Sequence, residues 1–128
     1  MSQETEPHIR LPISKTIVLV GIMGVGKTSI GRRLGRTLGI PFYDSDQEVE
    51  RAARISVSDI YAIYGEQAFV VVERRVIQRL MSQKPHVLST GVGSFLVPEN
   101  RELIKKNGFS IWLKASYNTL LPRVERRD

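Results

Sequence analysis

The sequence predicts an α/β domain in which a parallel β-sheet lies between two layers of helices. Two observations lead to this prediction. Short apolar segments rich in β-branched residues alternate with helical segments, and the first apolar segment runs directly into a glycine-rich loop. Strands that alternate with helices form a parallel sheet with helices on both faces. At 128 residues the chain is long enough for one modest core and too short for two.

The first strand, first helix and second strand are the most clearly marked elements. TIVLVG (residues 16–21) is apolar without polar alternation, which is typical of a strand buried on both faces. Behind the glycine-rich loop, apolar residues recur at helical spacing up to Leu38, and Gly39 is expected to end that helix. PFYDSD (residues 41–46) is predicted to be a second short strand that ends in acidic residues.

The later segments continue the same alternation. The predicted elements, in chain order, are a mostly helical stretch over about residues 47–81 with interruptions near Ser56 and at Gly65, a third strand in HVLSTGVG (residues 86–93), a helix from Pro98 to Asn107, a fourth strand in FSIWLKA (residues 109–115) and a helix from Tyr117. Repeats and low-complexity segments are absent from the sequence. The order of elements therefore supports a single parallel sheet.

Composition narrows the class of protein. The chain has no cysteine, which excludes disulfides and thiolate metal sites. Its two histidines lie far apart in the sequence, which argues against a zinc site. No apolar run approaches the ~18 residues that would span a membrane. The start, MSQETEPHIR, lacks the basic-then-apolar layout of a signal peptide. We therefore expect a disordered tail over residues 1–14 and a cytoplasmic protein without a membrane partner.

The net charge is +6, from 19 basic and 13 acidic residues. This excess could serve nucleic-acid binding. However, the basic residues are spread along several predicted helices, and no aromatic-rich platform for single strands accompanies them. We interpret them as solvated helix faces that also attract small anions, and we predict no nucleic-acid partner.

GIMGVGKT, from Gly21 to Thr28, follows the first predicted strand and matches the phosphate-binding pattern G-x-x-x-x-G-K-[ST]. Its glycines let backbone N–H groups point inward, where the helix N-terminus adds partial positive charge. We predict that Lys27 reaches the β- and γ-phosphates of a nucleotide and that the Thr28 hydroxyl ligates Mg²⁺. The predicted nucleotide-binding residues are Gly24, Val25, Gly26, Lys27, Thr28 and Ser29. A glycine-rich turn with a surface lysine is the weaker alternative, because strand, loop and helix occur together.

An acidic pair follows the second predicted strand. Asp44 and Asp46 lie at the sheet edge where ligands of open α/β sheets bind. A phosphotransferase needs one carboxylate near the magnesium ion and another to orient or deprotonate the acceptor hydroxyl. Residues two apart on an extended segment point the same way, so both carboxylates are expected to face the nucleotide. The alternative is helix capping by Ser45 or Asp46 ahead of Gln47, and the two roles can coexist.

These motifs together resemble shikimate kinase. GIMGVGKTSIGRRLGRTLGIPFYDSDQEVE (residues 21–50) resembles the start of that family, and SVSDIYAIYGEQAF, VLSTGVGSF and SIWLKA resemble later segments, so the likeness covers about residues 15–128. The resemblance implies a three-layer P-loop kinase fold with a parallel sheet in the order 2-3-1-4-5. We expect strands 2-3-1-4 here, in a kinase domain over residues 15–128 that lacks the family's fifth strand and lid.

The resemblance also implies an activity and its residues. It implies transfer of the γ-phosphoryl group of ATP to the 3-hydroxyl of shikimate, in aromatic amino-acid biosynthesis. Thr28 and, through water, Asp44 would serve Mg²⁺, and Asp46 would contact the shikimate hydroxyls and activate the nucleophile. The implied catalytic residues are thus Lys27 and Asp46. The expected ligands are ATP, Mg²⁺ and shikimate, bound by a monomer.

Two positions depart from the family pattern at the predicted acceptor site. Where the family has an arginine that pairs with the shikimate carboxylate, this chain has Val70, which offers no donor. Where the family reads T-G-G-G, this chain has Val92 between Gly91 and Gly93. Valine is disfavoured there if the position needs φ > 0 or if the ligand touches its Cα. A strand-end turn is the alternative reading of the two glycines.

Two functions follow from these observations. The first is an ATP-dependent kinase of the shikimate type whose acceptor site, with substrate residues Asp46, Val70, Gly91, Val92 and Gly93, is weakened by the two valines. The second is a nucleotide-binding module that keeps Lys27, Thr28 and Asp44 but has no working acceptor site. The resemblance favours the first.

Overall fold

The computed structural model describes residues 14–21 and 26–113, and these form a four-stranded parallel sheet with helices on both faces. The strands are β1 Thr16–Val20, β2 Phe42–Asp44, β3 Val87–Thr90 and β4 Gly108–Trp112. They lie in the order β2-β3-β1-β4, and each neighbouring pair is parallel. The predicted α/β class and strand order are therefore confirmed. The predicted tail and the predicted helix from Tyr117 lie outside the described residues, apart from residue 14.

Helices connect the strands. They are α1 Lys27–Leu38, α2 Ser45–Ala53, the short α3 Val57–Asp59, a π-helical turn Ile60–Tyr64, α4 Glu66–Met81, α5 Val92–Leu96 and α6 Pro98–Asn107. The interruptions predicted near Ser56 and at Gly65 are confirmed. The Ser56 hydroxyl accepts a hydrogen bond from the backbone N–H of Asp59 at 3.0 Å, and Gly65 has φ 91° between the π-helical turn and α4.

The sheet is the middle layer of three. Along β1, Val18 and Val20 face the larger core beneath α4, while Ile17 and Leu19 face the opposite side beneath α1. All five residues of β1 and all four of β3 are buried. Because alternate side chains of a strand point to opposite faces, an uninterrupted apolar strand can serve two cores.

The layer on the α1 side is thin because α1 presents glycines to the sheet. Gly31 and Gly35 are the buried residues of α1 and lie over Phe42 of β2. A Cβ atom at Gly31 would overlap the Phe42 ring, and one at Gly35 would lie 2.9 Å from the carbonyl oxygen of Ile40. The helix ends as predicted at Gly39, which has φ 72°. This packing sets α1, and with it Lys27, close against the ends of the strands.

Candidate active site

Lys27 lies where the central strands end. Its amino group donates hydrogen bonds to the carbonyl oxygens of Gly21, just beyond β1, at 2.6 Å and of Thr90, at the end of β3, at 3.2 Å. Burial lowers the pKa of Lys27, and the nearby carboxylates of Asp44 and Asp46 oppose that shift. The lysine is therefore held at the carboxyl edge of the sheet, within electrostatic reach of both predicted acidic residues.

The N-terminus of α1 suits an anion. Gly26 precedes the helix with φ 86°, no side chain of the described residues caps the helix, and its first turn contains no acidic residue. Thr28 and Ser29 are exposed in that first turn. An uncapped helix start presents backbone N–H groups and partial positive charge to a phosphate. Of the predicted nucleotide-binding residues, Gly24 and Val25 lie outside the described residues.

The acidic pair adopts a different geometry from the one expected. The segment from Asp44 to Asp46 is not extended, because α2 already begins at Ser45. Asp44, rather than Ser45 or Asp46, caps that helix: its Oδ1 accepts hydrogen bonds from the N–H groups of Asp46 at 2.9 Å and Gln47 at 3.1 Å. An aspartate can reach N–H groups two and three residues ahead, which stabilises a helix start directly after the strand.

Asp46 has the electrostatics of a proton acceptor. Partial burial of its carboxyl group is the main cause of a raised pKa, the Asp44 carboxylate raises it further, Lys27 opposes the shift and Glu50 adds to it. A carboxylate whose pKa is raised is a stronger base than an ordinary aspartate. Asp46 is thus suited to the predicted role of activating a hydroxyl.

The structure supplies oxygen donors that fit Mg²⁺. Asp44 uses Oδ1 for the cap of α2, and no residue in the described part of the chain donates to its other oxygen. The Thr28 hydroxyl lies in the exposed first turn of α1. Hydroxyl and carboxylate oxygens, completed by phosphate oxygens and water, are the usual ligands of Mg²⁺. Within residues 14–21 and 26–113 no cluster of three or more His, Cys, Asp or Glu side chains could hold a metal by itself.

The end of β3 shows how valine is accommodated at position 92. Gly91 has φ −81° and Val92 begins α5, so position 92 does not need φ > 0, and β3 is followed by a short helix at the place where a strand-end turn was the alternative reading of Gly91 and Gly93. Val92 packs partly buried against the main core. A Cβ atom at Gly91 or Gly93 would meet no protein atom within 4 Å. Contact of a ligand with this backbone stays a prediction.

Position 70 lies on α4, in its first half. Val70 is half-buried and follows Phe69, whose ring stacks on Tyr61 of the π-helical turn with centroids 4.9 Å apart. One turn further, Glu73 is only 4% exposed. Burial is the main cause that raises the pKa of Glu73 to about 7; the Ser94 hydroxyl opposes the shift and the Asp46 carboxylate adds to it.

Sequence reasoning did not assign Glu73 to the site. One signal was present, because Glu73 directly follows the apolar run FVVV, and a lone acidic residue on an apolar helix face is unusual.

The described helices include none that is long and apolar enough to cross a membrane.

Comparison with known proteins decides the family. The family model described as shikimate kinase matches residues 23–128. A shikimate kinase of Caulobacter vibrioides is 56% identical over 115 residues, which cover 90% of this chain and 58% of that protein. One of Rhizobium meliloti is 46% identical over 114 residues, covering 89% of this chain and 59% of that protein. The chain belongs to the shikimate kinase family. This family uses ATP with Mg²⁺, which supports the expected cofactors.

Solved structures of shikimate kinases have the same fold. The enzyme of Acinetobacter baumannii in complex with shikimate superposes with a TM-score of 0.80 at 39% identity, over 88% of this chain and 63% of that one. The enzyme of Aquifex aeolicus gives a TM-score of 0.75 at 33% identity, over 83% of this chain and 63% of that one. A gluconokinase of Sinorhizobium meliloti, at 19% identity and a TM-score of 0.57, shares the fold alone.

The chain spans somewhat more than half the length of these shikimate kinases, with 58% of the Caulobacter protein and 63% of the Acinetobacter chain covered. The comparisons do not favour the alternative of a nucleotide-binding module, because the matched proteins are kinases by name over nearly the whole of this chain.

Proposed function

We propose that this protein transfers the γ-phosphoryl group of ATP to the 3-hydroxyl of shikimate, as a cytoplasmic monomer serving aromatic amino-acid biosynthesis. One observation carries the proposal. The Lys27 amino group and the Asp46 carboxyl group lie at the same sheet edge, close enough for each to shift the pKa of the other. A phosphate-binding cation beside a raised-pKa carboxylate is what transfer to a hydroxyl requires.

On the nucleotide side, Lys27 would exchange its hydrogen bonds to Gly21 and Thr90 for bonds to the β- and γ-phosphates. Stronger, charge-assisted bonds to phosphate would replace bonds to neutral carbonyls. The first turn of α1, with Thr28 and Ser29, would bind the remaining phosphate oxygens. When bound, Mg²⁺ supplies charge neutralisation for the phosphates, and Thr28 and Asp44 are the residues that would hold it.

On the acceptor side, Asp46 would hydrogen-bond the reacting hydroxyl and accept its proton as the oxygen attacks the γ-phosphorus. The bond between phosphorus and the ADP oxygen then breaks, and ADP leaves with that electron pair. Gly91, Val92 and Gly93 would line the acceptor beside the end of β3, and Val70 would lie at its carboxylate. Because valine donates no hydrogen bond, we expect slow turnover of shikimate by this chain.

The test is formation of shikimate 3-phosphate, followed by mass spectrometry so that slow turnover is detected, together with calorimetric titration of ATP and Mg²⁺. We expect Lys27→Ala to weaken nucleotide binding at least ~10-fold and to abolish product, since it removes a charged phosphate contact. Lys105→Ala, at an exposed position of α6, is the matched control and should change neither. Unchanged ATP affinity in Lys27→Ala would refute the assigned phosphate site.

A further inference from the structure

A surface cavity of about 590 Å³ lies beside β2, on the face of the sheet that α1 covers. Its wall along α1 is formed by Arg32, Gly35, Arg36 and Gly39, and its wall along the start of β2 by residues 40–42. Among the described residues, none of those assigned to the proposed kinase site lines it. The volume is in the range of cavities that hold small organic molecules, so the cavity is a possible binding site separate from the proposed active site.

Two arginines place their positive charges at this cavity. Arg32 and Arg36 are exposed residues of α1, four positions apart, and both line the cavity. Like charges at this spacing lie on the same side of a helix and repel each other. The lining residues of the described chain include no Asp or Glu. Because a bound anion would relieve the repulsion between the two guanidinium groups, the lining favours a negatively charged ligand.

Phe42 holds one of these two arginines in place. The guanidinium of Arg32 lies over the Phe42 ring, 5.9 Å from its centroid. Attraction between a cation and the face of a ring does not use the N–H donors in the guanidinium plane. Phe42 is itself fixed beneath α1, because its ring occupies the space that a Cβ atom at Gly31 would need. Arg32 is therefore oriented before any ligand arrives, which reduces the conformational entropy that binding would cost.

The wall opposite the arginines is apolar and carries one amide. Ile40, Pro41 and Phe42 contribute hydrocarbon surface, and Gln47 of α2 contributes a side-chain amide that can donate and accept hydrogen bonds. Apolar surface with a few polar groups is typical of sites for small organic molecules. The lining thus suits a ligand with an anionic group toward α1 and a hydrocarbon part toward residues 40–42.

We propose that this cavity binds a phosphate monoester of a small organic molecule, with the phosphate group on Arg32 and Arg36 and the hydrocarbon part against residues 40–42. A phosphate monoester offers three acceptor oxygens, so both guanidinium groups can donate to it. A carboxylate has two oxygens and is matched by a single guanidinium. The inference goes beyond the proposed function and does not depend on it, because the two sites share no residue of the described chain.

The experiment is an NMR titration of the ¹⁵N-labelled 128-residue chain with phenyl phosphate. It is run with saturating ADP and Mg²⁺, which fill the proposed phosphate site at Lys27, and is repeated without nucleotide in Lys27→Ala. In both cases we expect a Kd on the order of a millimolar, with the largest shifts at residues 32–36, at Phe42 and at the side-chain amide of Gln47. Inorganic phosphate, which lacks the hydrocarbon part, and benzoate, which lacks the phosphate, should each bind at least ~5-fold more weakly.

Substitutions on α1 test the two arginines. Arg32→Gln and Arg36→Gln should each weaken binding of phenyl phosphate at least ~5-fold, because each removes charged donors to the phosphate. Arg36→Gln is the sharper test, since Arg32 also packs on Phe42. Arg33→Gln is the matched control: it removes the same charge from an exposed position of the same helix that does not line the cavity, and it should change Kd by less than ~2-fold. Circular dichroism checks that each variant is folded.

Four results would overturn the proposal, and all of them leave the proposed kinase function standing. If Arg33→Gln weakens binding as much as Arg36→Gln, the anion responds to net charge and not to the cavity. If inorganic phosphate or benzoate binds as tightly as phenyl phosphate, the assigned ligand class is wrong. If ADP displaces phenyl phosphate and Lys27→Ala abolishes its binding, the anion binds at Lys27. The absence of any saturable shift at residues 32–36 and 42 rejects the site outright.

Discussion

At the scale of single residues, the site contains ionisable groups whose pKa values are shifted mainly by burial. Burial lowers the pKa of Lys27 and raises those of Asp46 and Glu73. The Asp44 carboxylate modifies the shifts of Lys27 and Asp46, and the Asp46 carboxylate modifies those of Lys27 and Glu73. Substitutions that preserve shape and remove charge therefore test the assigned roles more sharply than truncations do.

Asp46→Asn keeps the size of the side chain but cannot accept a proton. We expect kcat for shikimate to fall by roughly 10²–10⁴-fold, the usual contribution of a positioned base. ATP affinity should stay within a few-fold, since Asp46 is not placed on the nucleotide. Steady-state kinetics with product detection measures both, and Asp59→Asn, at an exposed position of α3, serves as the control. If kcat of Asp46→Asn equals that of the parent chain, Asp46 does not act as the base.

Glu73→Gln should stabilise the fold at alkaline pH. Its folded-state pKa of about 7 lies above the ordinary value of 4.5, so the folded protein binds the proton more tightly than the unfolded chain does. Stability contributed by the neutral form is present at low pH and is lost as pH rises through about 7. Urea unfolding should show a gain of about 1–3 kcal/mol for Glu73→Gln at pH 8.5 and little difference at pH 4.5. A gain that does not depend on pH would contradict the shifted pKa.

At the scale of elements, packing of α1 on β2 positions Lys27, the lysine that we propose binds phosphate. The helix lies close to the sheet because glycines, rather than larger residues, face Phe42, and the Arg32 guanidinium covers the Phe42 ring at 5.9 Å from its centroid. Another contact orients α4 against α2: Arg79 donates to the buried carboxylate of Glu48 at 3.1 Å. Both contacts lie away from the chemistry and fix the elements that carry it.

Two helical glycines should respond in opposite ways to alanine. Alanine in a helix interior is usually better than glycine by roughly 0.5–1 kcal/mol. At Gly93 of α5, where a Cβ meets nothing within 4 Å, we expect that gain. At Gly35 the new Cβ would lie 2.9 Å from a backbone oxygen, so we expect a loss of about 1–3 kcal/mol. Thermal unfolding of Gly93→Ala and Gly35→Ala measures both changes in stability. A more stable Gly35→Ala variant would mean that α1 does not pack as closely on β2 as described.

At the scale of the whole molecule, β4 is an edge strand of the described sheet and carries exposed apolar side chains. It pairs with β1 alone among the described strands, and Phe109, Ile111 and Trp112 are 55%, 37% and 44% exposed. Exposed apolar side chains in this number are typical of a surface that another segment or molecule covers. The longer relatives of this chain have more polypeptide than the matched region, since it makes up 58% of the Caulobacter protein.

Extending the chain therefore tests the acceptor site in a larger molecule. We expect a chimera that carries the part of the Caulobacter protein outside the matched region to turn over shikimate faster than the 128-residue chain. In that chimera Val70→Arg should lower KM for shikimate at least ~10-fold and change KM for ATP little, because a guanidinium pairs with a carboxylate. Val71→Arg, at the exposed neighbouring position, is the control. If only the ATP parameters respond, the acceptor is placed wrongly.

The sequence by itself determined the features that depend on near neighbours. The unbroken apolar run predicted that β1 is buried on both faces, and Gly39 predicted the end of α1. The spacing up to Lys27 and Thr28 predicted a phosphate site, which stays a prediction. These are predictable because side-chain periodicity and backbone φ are properties of a few consecutive residues. The order of the strands came instead from the family resemblance, and the structure confirmed it.

Only the tertiary structure decided what depends on distant residues. The sequence predicted Asp44 beside the site but did not predict that it caps α2. Residues 44–46 could be read either as the end of a strand or as the start of a helix, and only the structure shows that α2 begins at Ser45. Valine fits at position 92 because α5 begins there and the residue adopts a helical backbone conformation. Glu73 received its raised pKa from burial and from Asp46, a residue 27 positions earlier in the chain. Burial and electrostatic neighbours are set by how the helices pack on the sheet; the apolar run before Glu73 marks that residue as unusual but does not give its neighbours.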